Sequence, residues 1–149
     1  MKVRDVGVKE VNCADPAMDL SEVATIMKRH NIGSVPVCEG GKLLGMLTDR
    51  DLVISCMASD MDPKECTARE YMTAKPVTVT PDMDLEEAAK IMGHEQLRRL
   101  PVVENGNLVG MLSLGDIAIA LEDDCLIAER LRKISQGAHI AAAAQTSSI

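Results

Sequence analysis

The sequence lacks phenylalanine and tryptophan, and Tyr71 is its only aromatic residue. Its core must therefore be built from aliphatic residues and from the ten methionines, whose flexible side chains fill irregular gaps. No apolar run approaches the roughly 20 residues of a membrane-spanning helix, and Met1–Asp5 does not read as the start of a signal peptide. We therefore expect a cytoplasmic protein that does not enter a membrane.

Other absences exclude whole function classes. The net charge of −7 disfavours a nucleic-acid partner, because an acidic surface repels phosphate backbones. A P-loop, a nucleophile–base arrangement and a metal-ligand cluster are all missing, so we do not expect an enzyme. His30 and His94 are interpreted as helix-end residues, since no zinc-type ligand spacing surrounds them. The five cysteines form no C-x-x-C pair, which is typical of a reduced protein.

What the sequence does contain is an internal repeat. Residues 2–54 align with residues 67–119 without a gap. The matched segments share a proline, a helix-start acid or a glycine motif: Pro16–Leu20 with Pro81–Leu85, Val35–Val37 with Leu100–Val102, and Gly45–Leu47 with Gly110–Leu112. Agreement over such a length implies two copies of one structural unit.

Each copy predicts the same order of elements, β-α-β-β-α. An extended stretch, Val11–Ala14 or Val77–Thr80, precedes a helix that begins at an N-cap aspartate and ends near Asn31 or Gln96. Two strands follow, joined by a tight turn, and a second helix begins after them. The turns are Gly40-Gly41 and Asn105-Gly106.

One copy of about sixty residues is marginal for an independent core. We therefore expect an α/β (α+β) fold in which the two repeats pack as one pseudo-twofold module. The predicted domains are residues 1–62 and 67–125, joined by a linker at 58–66. Residues 126–149 are predicted as a helical or disordered tail, with a helix over Leu126–Ile134 and a frayed segment at Ala141–Ile149.

The repeated motif G-h-x-[ST]-x-x-D carries the candidate chemistry. It occurs as Gly45–Asp51 and as Gly110–Asp116. A hydroxyl and an acid at this spacing form a capping box, which alone explains both residues. The same groups also suit a ligand, because a carboxylate accepts the paired hydroxyls of a ribose and a helix start attracts anions. The two roles are compatible.

The motifs, together with the hydrophobic-Pro-Val step before each hairpin, resemble the CBS (cystathionine-β-synthase) domain family. The resemblance covers the chain to about residue 122. The overall plan is similar to that of small stand-alone bacterial CBS pairs, including the hypoxic-response type. One departure is Gly7, where the second copy has the usual Met72. This difference should weaken the first short N-terminal helix.

The resemblance implies a regulatory module that binds AMP, ADP, ATP, S-adenosylmethionine or a dinucleotide in two clefts between the repeats. It requires no cofactor, and it implies a homodimer and an as yet unidentified protein partner. The aspartates would hold the ribose, and the threonine and serine hydroxyls would contact the phosphate. Adenine would lie on apolar strand residues. The implied positions are Thr48, Asp51, Ser113 and Asp116, with Val35, Pro36, Leu100 and Pro101 around them.

Three arginines are candidates for neutralising phosphate. Arg98 and Arg99 precede the second hairpin, where the first copy has Gly33-Ser34, so the two clefts should differ in charge. Arg50 adjoins the first motif aspartate. Each arginine has a plainer interpretation as a solvated surface charge.

Two further functions remain open on the residues alone. One is an interaction scaffold whose clefts hold no ligand. The other is a thiol or metal stress sensor, although Cys38 and Cys56 align with Val103 and Leu121 and are best interpreted as small apolar filler.

Overall fold

The computed structural model describes residues 1–7, 10–122 and 124–147, and it forms two compact units. The first unit contains the described residues of Met1–Lys9, Thr78–Val102 and Gly110–Ile149. The second unit contains Glu10–Val77 and Val103–Val109. The two units therefore do not coincide with the two sequence repeats. The first residues of each repeat belong to the unit that is built mainly from the other repeat.

The second unit holds most of the first repeat. Its elements, in chain order, are α1 (Leu20–His30), β1 (Ser34–Glu39), β2 (Lys42–Thr48), α2 (Asp49–Asp51), a π-helix (Leu52–Met57), a 3₁₀ turn (Pro63–Glu65), α3 (Ala68–Tyr71) and β3 (Thr73–Ala74). Strands β1 and β2 pair antiparallel, and β3 pairs antiparallel with β2. Gly40 and Gly41 both have positive φ, as the predicted tight turn requires.

The first unit holds most of the second repeat. It begins with a 3₁₀ turn (Val3–Asp5) and continues with α4 (Leu85–Glu95), α5 (Leu114–Leu121) and α6 (Asp124–Ser147). The hairpin of β4 (Arg99–Glu104) and β5 (Asn107–Ser113) belongs to this unit except at its tip. The tip, Val103–Val109, lies in the second unit, where Asn107 pairs with Lys42.

The predicted helices are confirmed, but the capping prediction holds for Asp19 and not for Asp84, whose side chain makes no cap hydrogen bond and accepts from Lys2 Nζ instead. Asp19 caps α1 by accepting from the Glu22 amide, and Asn31 ends that helix in the left-handed conformation, as Gln96 ends α4. The apolar stripe of α1 is buried against the sheet, and its members are Leu20, Val23 and Met27. The α4 stripe is buried as well, at Leu85, Ala88, Ala89 and Met92.

The predicted first strand of each repeat is reduced to a single parallel bridge, Ala14 with Val37 and Val79 with Val102. The Ala14 amide donates to the Pro36 carbonyl at 2.8 Å, and the Ala14 carbonyl accepts from Cys38. A parallel ladder would continue through the amides of residues 36 and 16. Both residues are prolines and have no N–H, so the ladder stops on each side.

The C-terminal segment differs from its prediction. Helix α6 begins at Asp124, before Leu126, and its backbone continues through Ala141 to Ser147 instead of fraying. Four successive alanines at 141–144 have the highest helix propensity and support this extension. Ser148 and Ile149 lie outside the described residues. Among the helices that the structure describes, none has the length and apolar character that crossing a membrane requires.

Candidate nucleotide-binding sites

The two motif copies form matching capping boxes at the start of α2 and α5. The Thr48 amide donates to Asp51 Oδ2 at 2.9 Å, and the Asp51 amide donates to Thr48 Oγ1 at 3.2 Å. The Ser113 amide donates to Asp116 Oδ2 at 2.7 Å, and the Asp116 amide donates to Ser113 Oγ at 3.0 Å. Each carboxylate is therefore held in a fixed direction by its own helix start.

Each box leaves hydrogen-bonding capacity for a ligand. Among the residues that the structure describes, each carboxylate is bonded through one oxygen, Oδ2, so Oδ1 can accept a further bond. The hydroxyls of Thr48 and Ser113 accept from an amide and keep their own hydrogen to donate. All four side chains belong to half-buried residues, so they are still partly accessible.

The loop before each hairpin is tied to the same helix start. The Asp49 amide donates to the Gly33 carbonyl at 2.9 Å, and the Leu114 amide donates to the Arg98 carbonyl at 2.8 Å. The structure thereby brings the backbone of Arg98 to the start of α5, next to Ser113 in the sequence. In the first copy, the same contact brings Gly33 beside Asp49, whose Oδ2 would lie 3.1 Å from a Cβ at position 33.

This repeated architecture is matched in known proteins. The CBS domain family matches residues 3–57 and 68–123, which together include both capping boxes. The chain belongs to the CBS domain family. A CBS domain-containing protein of Bacillus subtilis, YhcV, is 41% identical over 117 residues, with 78% of this chain and 83% of the relative covered. Hypoxic response protein 1 of Mycobacterium tuberculosis is 34% identical over 125 residues, with 83% and 87% covered.

Solved structures of CBS proteins share the fold. A crystal structure of Hypoxic Response Protein I with two coordinated zinc ions matches with a TM-score of 0.75 and 35% identity, covering 80% of this chain and 98% of that one. CBSX2 in complex with AMP matches with a TM-score of 0.71 and 25% identity, covering 81% and 96%. The CBS pair of MJ0100, in complex with 5′-methylthioadenosine and S-adenosyl-L-methionine, matches with a TM-score of 0.72 and 27% identity. The match covers 82% of this chain and 96% of that one.

The two CBS sites differ in charge at the helix start. In the first site, the Asp49 carboxylate accepts from the Arg50 amide at 2.8 Å. All three amides of α2 are then bonded within the protein, so none of these three N–H groups is free to bind an anion. In the second site Leu114 replaces Asp49, which removes both the competing acceptor and a negative charge.

The arginines named from the sequence are exposed. Arg98 and Arg99 flank the second site, and Arg50 lies within the first turn beyond Thr48. Within the described residues, no acidic side chain pairs with any of the three guanidinium groups. Their charges are therefore available to a phosphate.

The apolar positions of the prediction lie deeper than the polar ones. Val35 and Leu100 are 0% exposed, and Pro36 and Pro101 are buried as well. Val35 and Leu100 belong to the hydrophobic core, so their side chains do not face solvent. Pro36 also has a backbone role, because its carbonyl holds the segment before α1.

Ser34 was not predicted from the sequence as a site residue. It lies directly opposite Thr48 in the β1–β2 ladder. In the described part of the chain, its Oγ is solvent-inaccessible and has no hydrogen-bond partner. The only sequence signal is its alignment with Arg99, the arginine of the second site.

Residues 1–7, 10–122 and 124–147 contain no group of three or more His, Cys, Asp or Glu side chains that could hold a metal ion. Four of the five thiols instead occur as two neighbouring pairs. Burial and a hydrogen bond with Cys13 raise the pKa of Cys38 to about 12. Cys56 and Cys66 form a second pair in the core of the same unit.

Proposed function

We propose that this CBS protein is a regulatory module, without catalytic activity of its own, that binds adenosine-containing nucleotides at Thr48–Asp51 and at Ser113–Asp116. The observation that carries the proposal is the duplicated capping box, which orients a carboxylate and leaves one of its oxygens available. The adenosine ligands of CBSX2 and MJ0100 support the ligand class.

The proposed roles follow from the chemistry of each group. The free oxygens of Asp51 and Asp116 accept the ribose hydroxyls, because a carboxylate forms strong charge-assisted hydrogen bonds. The Thr48 and Ser113 hydroxyls donate to a phosphate. In the second site Arg98 and Arg99 add positive charge, whereas Asp49 adds negative charge to the first, so the second site takes the more phosphorylated ligand.

We also propose that the module is a cytoplasmic homodimer that signals to a protein partner. Apolar side chains remain exposed on the π-helix: Val53 is 48%, Ile54 52% and Met57 72% exposed. A surface of this kind is covered in stable assemblies. Size-exclusion chromatography with light scattering tests the dimer, and a mass equal to one chain at micromolar concentration would exclude it.

Thermal unfolding with AMP, ADP, ATP, GTP, S-adenosylmethionine and zinc tests the ligand class. A ligand at about 100 times its dissociation constant stabilises the folded state by roughly 2.7 kcal/mol. We expect adenosine ligands to raise the melting temperature and GTP and zinc to leave it unchanged. A shift with zinc alone would favour a metal sensor, and no shift in nucleotide-free folded protein would favour a scaffold.

A further inference from the structure

Two thiols lie at the ends of the linker that joins the two repeats in the sequence. Cys56 lies in the last turn of the π-helix, and Cys66 directly precedes Thr67, the N-cap of α3. They are 3% and 1% exposed, whereas every residue from Met57 to Glu65 is exposed. The buried thiols therefore hold together the two ends of an exposed loop.

The contacts of these thiols form a small network with the chain's only aromatic residue. The Cys66 thiol donates to the Asp62 carbonyl at 3.2 Å, and its Sγ lies 3.4 Å from the Tyr71 hydroxyl oxygen. The Cys56 thiol donates to the Met61 carbonyl at 3.6 Å. The two accepting carbonyls belong to consecutive residues, and Cys56 and Cys66 lie in the same buried core cluster. The sulfur atoms are thus already neighbours in the folded chain.

We propose that Cys56 and Cys66 are a redox pair that a peroxide converts into a disulfide, which fastens the linker. The Cys66 thiolate attacks a peroxide oxygen, so an S–O bond forms and the O–O bond breaks. The hydroxide that leaves combines with the thiol proton as water. Cys56 sulfur then attacks Cys66 sulfur, the S–S bond forms, and the S–O bond breaks with loss of a second water. Two thiols and one hydrogen peroxide thus give one disulfide and two waters.

The surroundings assign different roles to the two sulfur atoms. The Tyr71 hydroxyl is placed to donate a hydrogen bond to a Cys66 thiolate, which favours Cys66 as the attacking group. Burial, together with the neighbouring Cys66 side chain, raises the pKa of Cys56, which makes Cys56 a poor first attacker and suits it to the resolving step. Because both thiols are buried, the reaction is slow and responds to sustained oxidation.

Formation of the disulfide would link two functional elements of one unit. The helical segment that carries Cys56 follows the Thr48–Asp51 capping box. The carbonyl oxygen of Cys66 accepts a hydrogen bond from the amide of Leu20, the first residue of α1. The bond closes a short loop and restricts the unfolded chain, so the oxidised protein should unfold at a higher temperature.

Peptide mapping of the wild-type full chain tests the pair without any substitution. The folded protein is treated with hydrogen peroxide, its free thiols are alkylated, and trypsin then separates residues 51–64 from residues 65–69. We expect these two peptides to be joined, lighter than their sum by two hydrogen atoms, and separated by dithiothreitol. Alkylated Cys56 and Cys66 in protein whose exposed Cys13 and Cys125 are oxidised would overturn the proposal.

Two variants distinguish a redox pair from incidental oxidation. In a Cys13→Ser/Cys38→Ser/Cys125→Ser protein the joined peptide should form at an unchanged rate, because no other thiol takes part. Tyr71→Phe keeps the ring and removes the hydroxyl, and should slow the reaction several-fold. If the joined peptide disappears in the triple variant, the disulfide arose by exchange with another cysteine and the proposal is wrong.

Discussion

Met72 occupies the space that a side chain on Gly45 would need. A Cβ at position 45 would lie 2.6 Å from Met72 Sδ and 2.7 Å from the Thr73 carbonyl oxygen. Strand β3 runs beside β2 at this point and pairs Ala74 with Gly45. In the first copy, the motif glycine is therefore required by the protein's own chain.

Gly45→Ala should lower the free energy of unfolding by about 1–3 kcal/mol, because β3 must move away from β2. Gly115→Ala is the matched control, since its Cβ would lie 3.6 Å from Ser113 Oγ and within helix α5. That change should be neutral or stabilise by about 0.5–1 kcal/mol. Urea unfolding measures both, and equal stability of Gly45→Ala and wild type would contradict the packing described.

Gly93 plays a similar part between α4 and α6. A Cβ at position 93 would lie 3.0 Å from Cδ of Arg130, which is only 7% exposed. Gly93→Leu should therefore displace α6 and destabilise the protein by about 1–3 kcal/mol. Lys28 is the aligned position in the first repeat and is exposed, so Lys28→Leu should change stability by less than about 0.5 kcal/mol. Similar losses in both variants would argue against the α4–α6 contact.

Much of this fold could be predicted because its signals are local. The aligned repeat, the Gly40-Gly41 turn and the Asp19 cap depend on neighbouring residues, and the structure confirms them. The exchange of N-terminal segments could not be predicted, because self-alignment pairs residues without showing which unit they pack against. The π-helix at Leu52–Met57 was also not predicted, since its sequence aligns with a regular α-helix in the second copy.

The candidate sites were only partly readable from the sequence. The geometry of the Thr48–Asp51 motif can be predicted, because a capping box forms between residues three apart. Ser34 carries no such signal, since its position opposite Thr48 depends on strand register. Cys56 and Cys66 were likewise unrelated in the sequence, because their contact depends on how the loop between them closes.

A pH measurement tests the contact between Lys2 and Asp84. Lys2 Nζ lies 3.0 Å from Asp84 Oδ1, and this hydrogen bond and charge hold the pKa of Asp84 below its ordinary value of 3.8. The stabilisation is therefore present above that value and is lost as the pH falls through the lowered folded pKa. Lys2→Met should melt below wild type at pH 6 and converge with it near pH 2.

The exposed Lys90 of α4 provides the control for that measurement. Lys90→Met should differ from wild type by the same small amount at every pH, because no shifted carboxylate depends on it. A difference for Lys2→Met that persists unchanged to low pH would show that the lysine acts through packing and not through Asp84.

The difference in charge between the two sites predicts a difference in ligand preference. Replacing Arg98 and Arg99 by the glycine and serine of the first repeat should weaken ATP binding more than AMP binding at the second site. The ratio of ATP to AMP affinity should fall by about two- to fivefold. Titration calorimetry in an Asp51→Ala background isolates that site. High salt should reduce the effect, and an unchanged ratio of ATP to AMP affinity would remove the arginines from the site.

The most direct test of nucleotide binding is titration calorimetry of AMP into four single variants. Asp51→Ala and Asp116→Ala remove the proposed ribose acceptors. Glu22→Ala and Glu70→Ala remove the acid at the same position of capping boxes on α1 and α3, which lie outside the proposed sites. They control for the loss of a cap.

Each aspartate variant should lose one of two binding events, with affinity at the altered site falling roughly 10- to 100-fold. The glutamate variants should bind as wild type does. Equal binding by all four proteins would show that the duplicated motif only caps its helices and would contradict the proposed function.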